Sequence, residues 1–197
     1  MKLISMFQVR RAVALFMHSF VVCVLWVGQA FAEDVPQSVL DLIPSLKDWG
    51  MTPELVQAVK TQNAKGMSLD EIKSRDNEWR GDSRVSPFMK TLMENDAAKK
   101  MMSLESSQPY FFELFLMDNQ GANVAMTNKT SDYWQGDEAK FTDSFKNGMG
   151  AVHVGDVEFD DSAQAYLVQI SVPVMESGKA IGAMTIGINL DELEAIQ

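Results

Sequence analysis

Cysteine and histidine are almost absent from this chain. Its 197 residues include one cysteine, Cys23, and two histidines, His18 and His153. Cys23 and His18 lie in an N-terminal segment that we expect to be removed. The remaining chain can then form no disulfide, thiol nucleophile or thiolate metal site, and a single histidine cannot form the histidine pairs of zinc and copper sites. Stability must therefore come from a packed core.

Positive charge is also scarce, and basic residues do not cluster beyond residue 11. Lysine and arginine number 17 against 27 aspartates and glutamates, which gives a formal charge of −10. Nucleic acid and anionic lipid surfaces are therefore poor partners for this chain. The hydrophobic content of 46% and charged content of 22% are typical of a globular protein, and the length suits one domain.

Only one long apolar run occurs, over residues 12–28. It follows a basic head and precedes the small residues Ala30 and Ala32, which is the pattern of a secretory signal peptide over residues 1–32. The basic residues of the head are Lys2, Arg10 and Arg11. A retained membrane anchor is the alternative, although a helix over the apolar run would reach only about 26 Å of a hydrocarbon core roughly 30 Å thick.

Cleavage after Ala32 would produce a mature chain that begins at Glu33. The loss of the three basic residues would take the formal charge from −10 to −13. The signal is bacterial in character, so we expect the protein in the periplasm. We also expect the mature residues to form a single domain, in which a helical segment over residues 33–105 packs on a sheet formed by residues 106–197.

The helical segment shows four helix starts. In order they are Asp34 before Pro36, Thr52 before Pro53, Ser68 with Glu71, and Ser86 before Pro87. Pro44 must kink or end the first helix, and Gly66 ends the second. The third start is a capping box and opens a helix that reaches about Trp79. These four helices are predicted to form an N-terminal layer.

After Pro109 the apolar pattern changes from helical to strand spacing. We predict strands over residues 110–117, 122–127, 152–159, 166–174 and 179–188, with a short helix over residues 137–146. The first two strands form a hairpin, and Gly155 indicates a bulge in the third. In the last strand Ala183, Thr185 and Gly187 share a face of small side chains, which leaves room for a ligand or a close helix. The fold class is thus α+β, a five-stranded antiparallel sheet with helices covering one face.

Several kinds of chemistry find no matching motif. His153 would have to serve any Ser-His-Asp triad, but it lies in a strand and no GxSxG segment occurs. The glycine spacing of a dinucleotide loop, the residues of a P-loop and the ligand positions of an EF-hand are also missing. The 14 methionines raise Cu(I) binding as a possibility, yet pairs such as Met89 and Met93 share helix faces with apolar residues and are better explained as core. Paired glycosidase carboxylates cannot be recognised from spacing and stay open. We predict no enzyme activity, metal or cofactor.

The segment over residues 130–138 is unlike a plain loop. It combines Tyr133 and Trp134 with a glycine and several carboxylates, among them Asp132 and Asp137. Such a mixture can line a pocket, since the aromatic rings offer flat apolar faces and the carboxylates accept hydrogen bonds from ammonium or hydroxyl groups. The alternative is structural: Asp137 caps the next helix and Trp134 covers the sheet edge. The residues alone favour neither.

Five short segments together carry a family resemblance. In order they are Trp79-Arg80, residues 117–121, residues 130–137, Val172-Pro173-Val174 and residues 181–188. From about Asn77 to Leu190 the chain resembles the Cache sensor domains, which are extracytoplasmic, PAS-like and also called PDC domains. The resemblance implies a five-stranded sheet, a long N-terminal helix, and a small-molecule pocket over the sheet and under the loop. The candidate ligand-binding residues are Tyr133, Trp134, Asp137, Asp132, Arg80 and Tyr166.

The resemblance implies a periplasmic sensor domain that binds a small molecule in signal transduction. Most members of the family are joined through transmembrane helices to a kinase, cyclase or chemoreceptor, whereas here only a few residues follow the last strand. We therefore expect a separate membrane-bound receptor, kinase or cyclase as partner. Because the loop offers Asp132 and Asp137 and has no Arg or Lys closer than Lys129 and Lys140, we expect a small polar ligand that carries positive charge or an amino group. The alternative is a non-enzymatic interaction protein of the same fold with a vestigial pocket.

Overall fold

Helices come first in the chain, followed by the sheet. The computed structural model describes residues 35–160 and 163–196, so the predicted signal peptide and its cleavage point lie outside the described residues. Within this part of the chain, six helices precede the first strand. They are α1 (Gln37–Leu40), α2 (Ile43–Trp49), α3 (Pro53–Asn63), α4 (Leu69–Gly81), α5 (Pro87–Glu94) and α6 (Asp96–Glu105).

The helix boundaries follow local chemistry. Pro44 occupies the first turn of α2, so α1 ends before it as predicted. The capping box of α4 is formed, because the Ser68 hydroxyl accepts from the Glu71 N–H at 3.3 Å and the Glu71 carboxylate accepts from the Ser68 N–H at 2.8 Å. The Ser68 N–H and hydroxyl, which both donate to the Glu71 carboxylate, lower the pKa of Glu71. The prediction missed α6, which begins where Asn95 accepts from the Ala98 N–H, because no proline or glycine separates it from α5.

Five antiparallel strands form the sheet among the described residues. They are β1 (Phe111–Met117), β2 (Asn123–Met126), β3 (His153–Asp160), β4 (Ala165–Glu176) and β5 (Lys179–Asn189). Their order across the sheet is β2-β1-β5-β4-β3. The register of β3 against β4 shifts between Val154 and Val157, which confirms the bulge predicted at Gly155. The predicted fold class, a five-stranded antiparallel sheet with an N-terminal helical layer, is confirmed.

The two faces of the sheet bury different residues. On one face Leu114, Ile170 and Ile186 pack with Val59 of α3 and Met101 of α6 in the larger core cluster. We call this the helix face. A second cluster lies on the opposite face, where Phe115, Met117 and Ala183 pack against Phe141 of α7 (Ala139–Phe145). The expectation that helices cover only one face is therefore wrong, because Phe141 gives α7 an apolar side that only the opposite face can bury.

Small residues on β5 line this opposite face, as the sequence indicated. Ala183 and Thr185 are fully buried, and the Thr185 hydroxyl pairs with that of Ser171 at 2.8 Å. α7 covers part of this face, and a cavity remains beside it over β3 and β4. A single 3₁₀ turn (Lys146–Gly148) follows α7, and the chain ends its described part in α8 (Leu190–Glu194), a helix that the sequence analysis did not predict.

No helix in residues 35–160 and 163–196 has both the length and the apolar character needed to cross a bilayer.

Glu105, at the end of α6, makes stability depend on pH. Burial raises its pKa from 4.5 to about 7. The folded protein then holds a proton that the unfolded chain has released, so stability is highest below the unfolded pKa and falls as pH rises to about 7. Because the side chain is partly exposed, we expect Glu105→Gln to stabilise the protein at pH 8 by only about 1 kcal/mol, and to leave it unchanged at pH 4.

Urea unfolding at pH 4 and pH 8 measures this difference. The exposed Glu94, on α5, supplies the matched control as Glu94→Gln. A gain at pH 8 that is equal for the two variants would contradict the assignment.

Candidate functional site

The segment after β2 is fixed to α4 by hydrogen bonds to its backbone. The Trp79 indole N–H donates to the Thr130 carbonyl oxygen at 2.9 Å. One carboxylate oxygen of Asp76 accepts from the backbone N–H groups of Tyr133 at 2.9 Å and Trp134 at 3.1 Å. We call residues 130–138 the sensing loop. Its aromatic and acidic residues are thus placed by α4 and not by the sheet alone.

A cavity of about 240 Å³ opens between α4 and the sensing loop. We call it the loop cavity; its walls are Lys73, Asp76, Asn77, Arg80, Asp132, Trp134 and Asp137. Four of the six predicted ligand-binding residues meet here, although Arg80 is far from the other three in sequence. The Arg80 guanidinium contacts the Asp76 carboxylate at 2.7 Å, and the Lys73 ammonium lies 4.5 Å from the Trp134 ring centre. The carboxylates of Asp132 and Asp137 form no hydrogen bond or ion pair with other described residues.

Tyr133 and Tyr166, the other two predicted residues, lie elsewhere. Tyr133 is 1% exposed and packs between Trp79 and Phe88, with ring centres 5.8 and 5.4 Å away. Burial raises its pKa to about 12. Tyr166 is half-exposed on β4, where its ring meets that of Phe159. Neither ring lines the loop cavity, because Tyr133 turns into the core and Tyr166 lies on a distant strand.

A larger cavity of about 360 Å³ lies over β3 and β4, beneath the start of α7. We call it the sheet cavity; its walls are Glu138, Ala139, Lys140, His153, Val154, Gly155, Asp156, Glu158, Phe159, Asp160, Leu167 and Gln169. It is on the face opposite the helix face, since Gln169 alternates with the buried Val168 and Ile170. The bulge at Gly155 widens this part of the sheet. The sensing loop continues into residues 138–140, which form the roof of the sheet cavity.

Glu113 is the deepest charged group near the sheet cavity. It lies on β1 behind Gln169, whose side-chain N–H donates to the Glu113 carboxylate at 3.2 Å. Burial raises the pKa of Glu113, while the ammonium of Lys140 acts in the opposite direction and the carboxylate of Asp160 raises it further. Lys140 also forms an ion pair with Glu138 at 3.0 Å. Lys140, the one cation of residues 138–140, therefore interacts with the carboxylates of both Glu138 and Glu113.

No role for Glu113 or Gln169 was predicted from the sequence. Two signals were available. Glu113 is the only charged residue in the apolar strand β1, and Gln169 interrupts a strand whose neighbours are apolar. A polar side chain in the middle of such a strand needs a partner or a cavity. Whether Glu113 and Gln169 meet a partner or a cavity depends on the strand order, because β5 lies between β1 and β4.

His153 does not face a free hydroxyl. Its imidazole lies 3.5 Å from the Asp143 carboxylate, and Ser171 is its partner across β3 and β4. The Ser171 side chain is fully buried and its hydroxyl pairs with that of Thr185. Among residues 35–160 and 163–196 there is also no group of three or more side chains suited to hold a metal ion.

Aromatic and methionine side chains fill the space between the sensing loop and strands β1, β2 and β5. Tyr133, Phe115, Met117, Met126 and Phe141 belong to one buried cluster there. The space under the loop, where the Cache resemblance implies a pocket, is therefore filled by side chains near β1, β2 and β5. Over β3 and β4 the sheet cavity remains open.

Comparison with solved structures yields sensory domains of low sequence identity. The sensor domain of the V. cholerae histidine kinase DctB matches with a TM-score of 0.44 and 14% identity, over 81% of this chain and 52% of that one. The sensory domain of the Campylobacter jejuni chemoreceptor Tlp3 matches with a TM-score of 0.42 and 15% identity, over 82% and 68%. For the ligand-binding domain of the Pseudomonas aeruginosa amino acid chemoreceptor PctC, in complex with GABA, the values are 0.38, 13%, 79% and 63%.

This chain spans about half the length of the DctB sensor domain that it matches. No protein-family model matches the chain, and no curated protein matches its sequence. The structural neighbours are sensory and ligand-binding domains of chemoreceptors and a histidine kinase.

Proposed function

We propose that this chain is a periplasmic sensor domain that binds a small, polar, amino-bearing molecule in the sheet cavity. It would act in signal transduction through a separate membrane-bound partner, and no catalytic step is needed. The observation that carries the proposal is the acidic cavity over β3 and β4, beneath the start of α7. Its size of about 360 Å³ suits a small metabolite.

The charges of the sheet cavity favour a cation. Its walls carry four carboxylates against Lys140 and His153, and Glu113 adds a fifth carboxylate behind them. The acidic wall residues are Glu138, Asp156, Glu158 and Asp160. An ammonium group would reduce their mutual repulsion, whereas an anion would increase it. This is the charge preference that the sequence predicted, at a different place.

Gln169 provides a matching hydrogen-bond acceptor. Its amide nitrogen donates to Glu113, so its carbonyl oxygen is available to a donor in the cavity. An N–H donor of the ligand would then complete a chain from ligand to Gln169 to the buried Glu113 carboxylate. Such a chain of hydrogen bonds would give an amine a higher binding affinity than a carboxylate of the same size.

Calorimetric titration with putrescine and ethanolamine, and with acetate as the anionic comparison, tests the site. Glu113→Gln should weaken putrescine binding about tenfold, because a charge-assisted interaction is replaced by a neutral one. Wild-type affinity should fall as pH falls, since the raised pKa of Glu113 lets a proton compete with the amine. Glu194→Gln, an exposed substitution on α8, is the control and should bind like wild type.

The loop cavity is the second candidate position, because Arg80, Asp132, Trp134 and Asp137 meet there. Trp134→Ala and Asp137→Asn distinguish the two positions in the same titration. If these two variants lose about tenfold in affinity and Glu113→Gln does not, the ligand binds in the loop cavity. Tighter binding of acetate than of either amine would contradict the proposed ligand class in both cavities.

One observation favours the alternative function, an interaction protein with a filled pocket. The cluster around Tyr133 and Phe141 occupies the space beneath the sensing loop. Ligand-dependent melting separates the two functions, since a ligand at a hundredfold excess over Kd adds about 2.7 kcal/mol of stability. An interaction protein would gain nothing from any member of an amine and amino acid panel, and would still bind a membrane protein.

A further inference from the structure

Helix α4 is attached to the rest of the molecule through the sensing loop. Among the described residues, every hydrogen bond from Leu69–Gly81 to a residue outside the helix and its flanking turns goes to residues 130–134. The buried side chains of α4, Ile72 and Trp79, belong to the same core cluster as Tyr133. These contacts join α4 to the sensing loop.

The side chain of Asp76 makes the central contacts between α4 and the sensing loop. Its side chain is 2% exposed, and one carboxylate oxygen accepts two backbone N–H groups of the loop while the other contacts Arg80. The Arg80 side chain is 54% exposed, so the charge of this buried group is balanced from the solvent side. A buried carboxylate that accepts from fixed donors is costly to leave unpaired, which makes the attachment tight.

The other end of the sensing loop forms the roof of the sheet cavity. Glu138 and Lys140 line that cavity and pair with one another at 3.0 Å, and the ammonium of Lys140 attracts Glu113 on the floor side. Only a few residues separate this roof from the backbone N–H of Trp134 that Asp76 holds. The cavity and α4 are thus connected by one short, continuous segment.

We propose that Asp76, with Arg80, is a positioning residue that couples the roof of the sheet cavity to α4, so that α4 is the element that reports an occupied cavity. This inference rests on the proposed function, because it assigns the output of that site. An amine that draws the roof toward the acidic wall shifts the sensing loop, and Asp76 passes this shift to α4.

Hydrogen exchange in the full mature chain tests the coupling without any ligand. Lys140→Gln removes the ion pair with Glu138 and so loosens the roof. Asp76→Asn keeps one acceptor oxygen for the loop but places an amide group, in place of the charged oxygen, against Arg80. The double variant completes the cycle. In the Asp76 background, Lys140→Gln should speed exchange of the α4 amides by about threefold or more, and in the Asp76→Asn background it should add little. Lys99→Gln, which breaks an exposed pair on α6, is the matched control.

A purely structural role for Asp76 would speed exchange in α4 by itself, but would leave the response to Lys140→Gln unchanged. That result, or an α4 that does not respond to Lys140→Gln when Asp76 is present, would overturn the coupling. Amides of β4 and β5 report whether each variant is folded. If Asp76→Asn does not fold, Arg80→Gln replaces it in the cycle with the same expected loss of response.

Failure of the coupling and failure of the proposed function are distinguishable. Coupling in the exchange cycle without amine binding would remove the proposed ligand and leave Asp76 as the positioning residue. Amine binding with no response of α4 to Lys140→Gln would leave the proposed function and remove α4 as its output.

Discussion

Asp76→Ala should lower the free energy of unfolding by about 3–4 kcal/mol. The substitution leaves the buried N–H groups of Tyr133 and Trp134 without an acceptor, and it removes the partner of Arg80. Each unsatisfied buried donor costs about 1–3 kcal/mol. The substitution therefore weakens the attachment of the sensing loop to α4. For a protein of this size the melting temperature should fall by about 10 °C.

Thermal unfolding followed by circular dichroism measures this loss. The control is Asp96→Ala, which removes a carboxylate that is 95% exposed and pairs only with Lys99 at 3.0 Å. An exposed pair of this kind contributes less than about 1 kcal/mol. If the two alanine variants melt at the same temperature, Asp76 does not hold the sensing loop.

Gly182→Ala should destabilise the sheet by about 3 kcal/mol or more, because the added methyl group has no space. A Cβ atom at Gly182 would overlap the carbonyl oxygen of Met117 and approach Val59 Cγ1 to 2.9 Å. Met117 belongs to the neighbouring strand β1 and Val59 to α3. The backbone oxygen cannot move away without breaking the pairing of β1 with β5 near Ala183.

Urea unfolding compares this variant with Gly81→Ala at the end of α4. Gly81 has no positive φ, and a Cβ atom there would meet nothing within 4 Å. The control should therefore be neutral or stabilising by less than about 1 kcal/mol. Near-equal stability of the two variants would mean that β5 and β1 do not approach as closely as the structure has them.

Local signals in the sequence predicted most of the elements. The capping box of Ser68 and Glu71, the break at Pro44, the hairpin after Met117 and the bulge at Gly155 all occur where the sequence indicated. Each depends on residues only a few positions apart, whose conformations are limited by sterics and by short-range hydrogen bonds. The α+β class follows from the order of these elements.

The sequence predicted in part which residues of the loop meet, and their role in binding stays a prediction. Arg80, Asp132, Trp134 and Asp137 do meet, because the loop carries an unusual density of aromatic and acidic groups. Tyr133 was placed in the pocket but turns into the core, since a loop has no periodicity that assigns neighbouring side chains to opposite sides. Likewise, α6 was not separated from α5, because no proline or glycine lies between them and the cap at Asn95 was missed.

The amino-acid sequence by itself determined the five strands, most of the helices and their order, the acidic charge and the likeness to extracytoplasmic sensor domains. Only the tertiary structure decided the strand order β2-β1-β5-β4-β3, which brings Glu113 of β1 to Gln169 of β4 across β5. It also decided that α7 covers the face opposite α3 and α6, and that Asp76 holds Tyr133 and Trp134. The physical reason is that these contacts join residues far apart in the chain, whose meeting depends on how all the apolar faces are buried at once.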